Sequence, residues 1–167
     1  SLAYAGLVVA APAAGLLVTL YAWGALADRI GERVVIASGM TISGAALALT
    51  PLAGLLDDQP HRALVLWSLL LAVAGAGGAA VNAASGRLVL GWFGPRERGM
   101  AMGIRQTAQP LAVATAGLLL PPTAGAWGLW WCLAIPAALS FSAALCAIVA
   151  TFAITMSCPP PSFRRRR

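Results

Sequence analysis

Charged positions punctuate this chain; they do not pattern it. Residues 3–27, 34–56 and 63–86 carry no charged side chain, and residues 106–163 form a charge-free stretch of 58. About 20 apolar residues, coiled as a helix, cross the roughly 30 Å hydrocarbon core of a bilayer, so each stretch predicts at least one membrane helix. At ~1.5 Å per residue the last stretch would extend about 87 Å as a single helix, so it must reverse once. Pro121-Pro122 followed by Thr123-Ala124-Gly125 is the expected place. The pattern predicts five spans, at residues 5–26, 34–55, 64–93, 100–120 and 127–151. They make a bundle over residues 1–157, followed by a Pro/Arg-rich tail at 158–167. The third span is long enough for its end to protrude. Few residues separate successive spans, so consecutive helices are expected to be antiparallel neighbours.

Composition supports the same fold class. Of 167 residues, 60% are hydrophobic and 10% charged, against about 25% charged in a typical soluble domain. That leaves too little polar surface for a water-soluble fold, and excludes soluble, nucleic-acid-binding and disulfide-stapled secreted proteins. The chain reads as an all-α integral membrane protein. Its net charge of +6 comes from arginine alone. The connections after the first and third spans, with the tail, hold Arg29, Arg33, Arg96, Arg98 and Arg164 to Arg167. The connections after the second and fourth hold only Arg62. Cytoplasmic loops carry such an excess. The Arg-rich loops and the C-terminus are therefore expected in the cytoplasm and Ser1 outside, in a multi-pass protein of the cell (plasma) membrane. Trp127, Trp130 and Trp131 fall at the outer end of the fifth span, where interfacial indoles anchor helices. Cys132, Cys146 and Cys158 have the spacing of no metal or redox motif and read as helix packing. His61, beside Arg62, reads as a solvated loop residue. The chain opens in a span without Met or a basic leader, so no signal peptide is expected and the chain reads as a fragment.

Between the first two spans lies Gly24-Ala25-Leu26-Ala27-Asp28-Arg29-Ile30-Gly31-Glu32-Arg33-Val34. A short turn between antiparallel helices needs close backbone approach, which Gly24 and Gly31 permit. Asp28 and Glu32, flanked by Arg29 and Arg33, make a compact ionic cluster. Arg33 opens a helix, where its charge opposes the helix dipole. A partner carboxylate would explain it, and Glu97 in the other Arg-rich loop is the candidate.

This segment resembles the signature loop between the second and third helices of the major facilitator superfamily of secondary transporters. That pattern is Gly, any, Leu, small, Asp, Arg or Lys, any, Gly, any, Arg, then Arg or Lys. Gly24, Leu26, Asp28, Arg29, Gly31 and Arg33 match it, and Val34 departs at the last position. Residues 91–99 and the segment Gly103-Ile104-Arg105-Gln106-Thr107 also look like this superfamily. The resemblance implies that the five spans are family helices two to six, an incomplete N-terminal six-helix bundle. The first helix and the C-terminal half would then be supplied elsewhere. It also implies that Asp28 and Arg33 belong to a charge network locking one conformation of a transport cycle. The antiporter pattern of the fifth family helix is matched poorly, because Gln109-Pro110-Leu111-Ala112 lacks its glycines.

Several residues inside the spans carry further expectations. Gly78, Asn82 and Gly86 share one face of the third span, with Gly75 close by, a stripe that lets another helix approach closely. Asn82 either makes an interhelical hydrogen bond or lines a polar cavity. An arginine within a span costs at least about 2.5 kcal/mol at mid-membrane and marks a pathway or a paired site. Arg87 can snorkel to the interface, pair with Asp28 or mark such a pathway. Arg105, followed by Gln106 and by Gln109 at i+4, makes a polar stripe that should face protein or water. Cavity lining, structural pairing and snorkelling all remain open for it. Asn82, Arg105, Gln106 and Gln109 are the candidate solute pathway.

The function expected is transport of a small solute by alternating access, driven by an ion gradient because no nucleotide-binding loop is present. Its partners would be the lipid bilayer, a small-molecule substrate and the rest of the same transporter, with no nucleic acid, cofactor or metal. The alternatives are a membrane scaffold or assembly subunit, or a lipid-modifying enzyme. The enzyme would need a nucleophile, a metal cluster or paired carboxylates within a span, yet all five carboxylates fall in loops. The solute and the coupling ion are not specified; Arg105 gives a weak pointer to an anionic group. Alone, the chain is not expected to transport.

Overall fold

The computed structural model describes residues 2–56 and 60–157. They form five helices: α1 (Leu2–Ile30), α2 (Glu32–Leu56), α3 (Pro60–Trp92), α4 (Arg98–Trp127) and α5 (Leu129–Ser157). The expected tail, with Cys158 and Arg164 to Arg167, lies outside the described residues. Most helix ends overrun the predicted spans by several residues, because hydropathy marks the hydrocarbon crossing whereas backbone hydrogen bonding continues into the interface. Among the described residues, α1, α2, α3 and α5 contain stretches long and apolar enough to cross a membrane; α4 does not. Length is not what α4 lacks, since 30 residues reach about 45 Å. Arg105, Gln106, Gln109 and three prolines dilute its apolarity.

The reversal within the long charge-free stretch occurs at Gly128, φ 83°, and not at residues 121–125. α4 continues as helix past Pro121 and Pro122. Proline fixes φ near the helical value, and the Thr123 hydroxyl donates back to the Leu119 and Leu120 carbonyls at 3.0 and 2.9 Å. Turning the chain takes a left-handed φ, which a residue without Cβ supplies. Gly31, φ 90°, does the same between α1 and α2. Trp127 consequently closes α4 instead of opening the fifth span, and meets Trp131 edge-on with ring centroids 6.3 Å apart.

α3 is the centre of the bundle. It packs extensively on α1, which runs parallel to it, and on α2, which runs antiparallel; α2 in turn packs on α5. Of the consecutive pairs expected to be neighbours, α2 and α3 pack closely and antiparallel, whereas α1 with α2, α3 with α4, and α4 with α5 touch least. A link of one residue joins two helix ends and dictates nothing about their length. Contact follows the small side chains. A methyl group on Gly75 would collide with the Pro12 backbone, one on Gly15 with Ala72, and one on Gly77 with Gly39 and Ser43 of α2. Gly78, expected on the packing stripe, faces open space, and Gly86 looks toward Met102 and Arg105 of α4 at 3.9 Å. The close-approach positions of α3 are therefore Gly75 and Gly77. Two α1 side chains reinforce that seam at one carbonyl: Trp23 Nε1 donates to Ala76 O at 2.6 Å and Thr19 Oγ1 at 3.2 Å.

The buried cluster is Ala27, Val35, Ala80 and Ala84, while Leu17, Val18, Leu118 and Leu145 point outward. Lipid tails are as apolar as leucine, so burying large aliphatics gains little in a bilayer and small-residue packing decides which helices meet. α4 has no buried residue among those described.

Candidate functional site

The parallel packing of α1 on α3 brings their C-terminal ends together. There the Arg87 guanidinium donates from Nη1 to Asp28 Oδ1, an ion pair, and from Nη2 to the Gly24 carbonyl at 3.0 Å. One side chain of α3 thus holds both a carboxylate and the backbone of α1. The two side chains are 40% and 64% exposed, and exposed pairs stabilise by about 0–1 kcal/mol. This is a latch of low strength.

Other parts of the expected charge network do not assemble. No ion pair joins Arg33 to Glu97, or either of them to Asp28, among the described residues. The reason is topological: α3 stands between α2 and α4, which make no contact with each other. Arg29 and Glu32 form no ion pair among the described residues either. Gly24 contributes its carbonyl and not a close approach, since nothing lies within 4 Å of a methyl built there. Gly31 contributes its left-handed turn. Leu26 is exposed on α1.

The four candidate pathway residues do come together. A cavity of about 320 Å³ opens between α3 and α4, with Val81, Asn82 and Ser85 on one wall and Arg105, Gln106, Ala108 and Gln109 on the other. Arg105 Nη1 donates to Ser85 Oγ at 2.7 Å, and that hydroxyl passes its own hydrogen to the Val81 carbonyl. Arg105 Nε is buried and has no acceptor among the described residues. Ser85 was not anticipated, although its position three residues after Asn82 puts it on the same helical face. A larger cavity of about 570 Å³ adjoins toward the α3–α4 connection and is bordered by Arg105, Arg96 and Glu97.

These walls present hydroxyl, amide and guanidinium groups around a space open to small molecules. That inventory suits reversible binding of a polar solute. Covalent chemistry would need a nucleophile beside a base, and the smaller cavity offers the Ser85 hydroxyl with no carboxylate or imidazole in its lining. Among the described residues no group of three or more His, Cys, Asp or Glu is placed to hold a metal.

Comparison with known proteins gives the chain its relatives. The family model described as Major Facilitator Superfamily matches residues 1–165. Uncharacterized MFS-type transporters of Mycobacterium tuberculosis, from strains CDC 1551 / Oshkosh and ATCC 25618 / H37Rv, are each 39% identical over 167 residues. Those matches cover 99% of this chain and 34% of each relative. A protein of Arabidopsis thaliana named Probable anion transporter 4, chloroplastic, is 36% identical over 125 residues, 73% of this chain and 22% of its own length. The chain spans about a third of the length of the mycobacterial relatives it matches. No solved structure matches it.

Proposed function

The chain belongs to the major facilitator superfamily, and from that premise we propose that it serves a secondary transporter moving a small solute across a cell membrane by alternating access. The observation that carries this reading is the Arg87 latch: one guanidinium ties Asp28 and Gly24 of the signature loop to the end of α3. A pair worth about 0–1 kcal/mol biases a two-state equilibrium by no more than roughly fivefold. A transporter that must open and reclose the same end on every cycle needs a contact of that order. A permanent structural clamp would be stronger and drier.

The cavity between α3 and α4 is the segment of the solute pathway that these helices supply. Since the chain spans 34% of its mycobacterial relatives, further helices would complete the pathway, and alternating access needs two moving halves. An ion gradient is the energy source that fits this family of carriers. The arginine distribution supports an orientation with the Arg87 latch on the cytoplasmic side of the plasma membrane.

The test is uptake into proteoliposomes. The chain, alone and with its complementary helices co-expressed, is exposed to a mixed solute pool, and retained solutes are identified by mass spectrometry. Uptake is expected only with the complement. Asp28→Asn and Arg87→Gln should each lower it at unchanged expression, and the exchange Asp28→Arg with Arg87→Asp should restore part of it. Unchanged uptake in both single variants would reduce the loop to a topology signal.

A further inference from the structure

On the reading that the α3–α4 cavity belongs to the solute pathway, we infer that its ligand is a small soluble anion, gripped by Arg105 with Ser85, Asn82 and Gln109 around it. Three observations lead there. First, the Arg105 guanidinium has five N–H donors to place, and the contact found for it is the one from Nη1 to Ser85. Its Nε–H is buried without an acceptor among the described residues. Second, no acidic side chain among the described residues pairs with its charge. No acidic side chain lines the cavity, and Glu97, which borders the adjoining one, forms no ion pair with it. An unpaired charge at membrane depth is costly, and an arriving anion would supply the missing countercharge and acceptors together. A cation would be repelled, and a neutral solute would leave the charge as it is.

Third, the rest of the wall fits an anion and limits its size. Asn82, Gln106 and Gln109 carry amide donors, and Val81 and Ala108 leave room for a small apolar body. About 320 Å³ is at the small end of ligand cavities. Ser85 acts as a positioning residue: its hydrogen is committed to the Val81 carbonyl, so its lone pairs face Arg105 and hold the guanidinium against the cavity wall. A planar fork that binds carboxylate or phosphate oxygens in pairs distinguishes arginine from lysine at such a site.

The experiment uses the 167-residue chain in phosphatidylcholine nanodiscs at constant ionic strength. Thermal unfolding is followed by tryptophan fluorescence while acetate, benzoate, nitrate or inorganic phosphate is titrated. Acetamide, benzamide and methylammonium serve as neutral and cationic controls. At least one anion should raise the midpoint saturably while its neutral counterpart does not. Arg105→Gln should weaken that binding roughly 10- to 100-fold. Arg105→Lys, which keeps charge but loses the fork, should fall between, and Ser85→Ala should weaken binding less than Arg105→Gln. Arg62→Gln, outside the cavity, should leave it unchanged. Absence of any anion effect, equal effects of amides, or full binding in a folded Arg105→Gln chain would overturn the inference. So would protection that appears only when phosphatidic acid is added to the discs, because the guanidinium would then serve a lipid headgroup. Flux separates the two readings. Transport of neutral or cationic solutes without anion binding defeats the anion and spares transport, whereas Arg105-dependent anion binding without flux in the completed protein does the reverse.

Discussion

The two flanks of α3 are built on opposite principles. Toward α1, backbone meets backbone at Gly15 and Gly75, and Trp23 and Thr19 hook one carbonyl of the facing helix. Toward α4, contact is slight, no residue of α4 is buried, and the gap is edged by Asn82, Ser85, Arg105 and Gln109. The difference teaches where a membrane helix bundle can keep polar groups. A seam closed by glycine has no volume for a solvated side chain, whereas a seam held apart by side chains has room for solute and for the arginine that meets it. One helix is therefore closed against its neighbour on one flank and edged by a polar cavity on the other.

The largest effect should come from filling the closed seam. Gly75→Leu must push α1 away from α3, because the first atom added meets the Pro12 backbone. A loss of about 3 kcal/mol is expected, at the upper end for overpacked cores, measured by detergent-denaturant titration in bilayer mimics. Gly86→Leu, on the open flank, should cost much less. Equal losses would erase the contrast between the flanks.

Next in size is the carbonyl hook. Trp23→Phe keeps the ring and removes the donor to Ala76 O, so a loss of about 1 kcal/mol is expected. Smaller still is the latch. A double-mutant cycle of Asp28→Asn with Arg87→Gln should return a coupling of about 0.5 kcal/mol, as exposed pairs do. A coupling above about 2 kcal/mol would make the pair a structural clamp and remove the reason for reading it as a switch.

Much of this arrangement was legible before the fold. Charge-free stretches locate the helices because a bilayer leaves an apolar helix as the form those residues can take. The pairing of Asp28 with Arg87 was one of the options their shared membrane level left open, and the polar face of α4 was visible in the spacing of Arg105 and Gln109. What was not legible is which helices touch. Short links suggested consecutive pairs, which holds for α2 with α3, but a turn at Gly31 constrains two ends only, and the parallel α1–α3 seam depends on Gly15 and Gly75, sixty residues apart. For the same reason Arg33 was assigned a partner across a helix that stands in the way. Gly78 and Gly75 are indistinguishable by composition; their roles differ because α1 closes over Gly75 while nothing comes within 4 Å of a methyl group at Gly78. The reversal at Gly128 was missed because two prolines advertise a break, although in a helix their fixed φ is no obstacle and a positive φ is what turns the chain.

An effect of similar size but opposite sign sharpens the comparison most. Gly78 lies three residues beyond Gly75, yet nothing comes within 4 Å of a methyl group placed there. With no collision to offset it, Gly78→Ala recovers helix propensity, and the chain should gain about 0.5–1 kcal/mol. Denaturant titration of the isolated chain reads this gain directly. If further helices complete the protein, as proposed, the same substitution there asks a different question, because any helix that seats itself on this face would turn the gain into a loss. A gain in the isolated chain and a loss in the completed protein would mark Gly78, Asn82 and Gly86 as a second close-approach stripe awaiting its partner. A gain in both would leave that face to solute or lipid and make Gly75 and Gly77 the full account of how α3 is held.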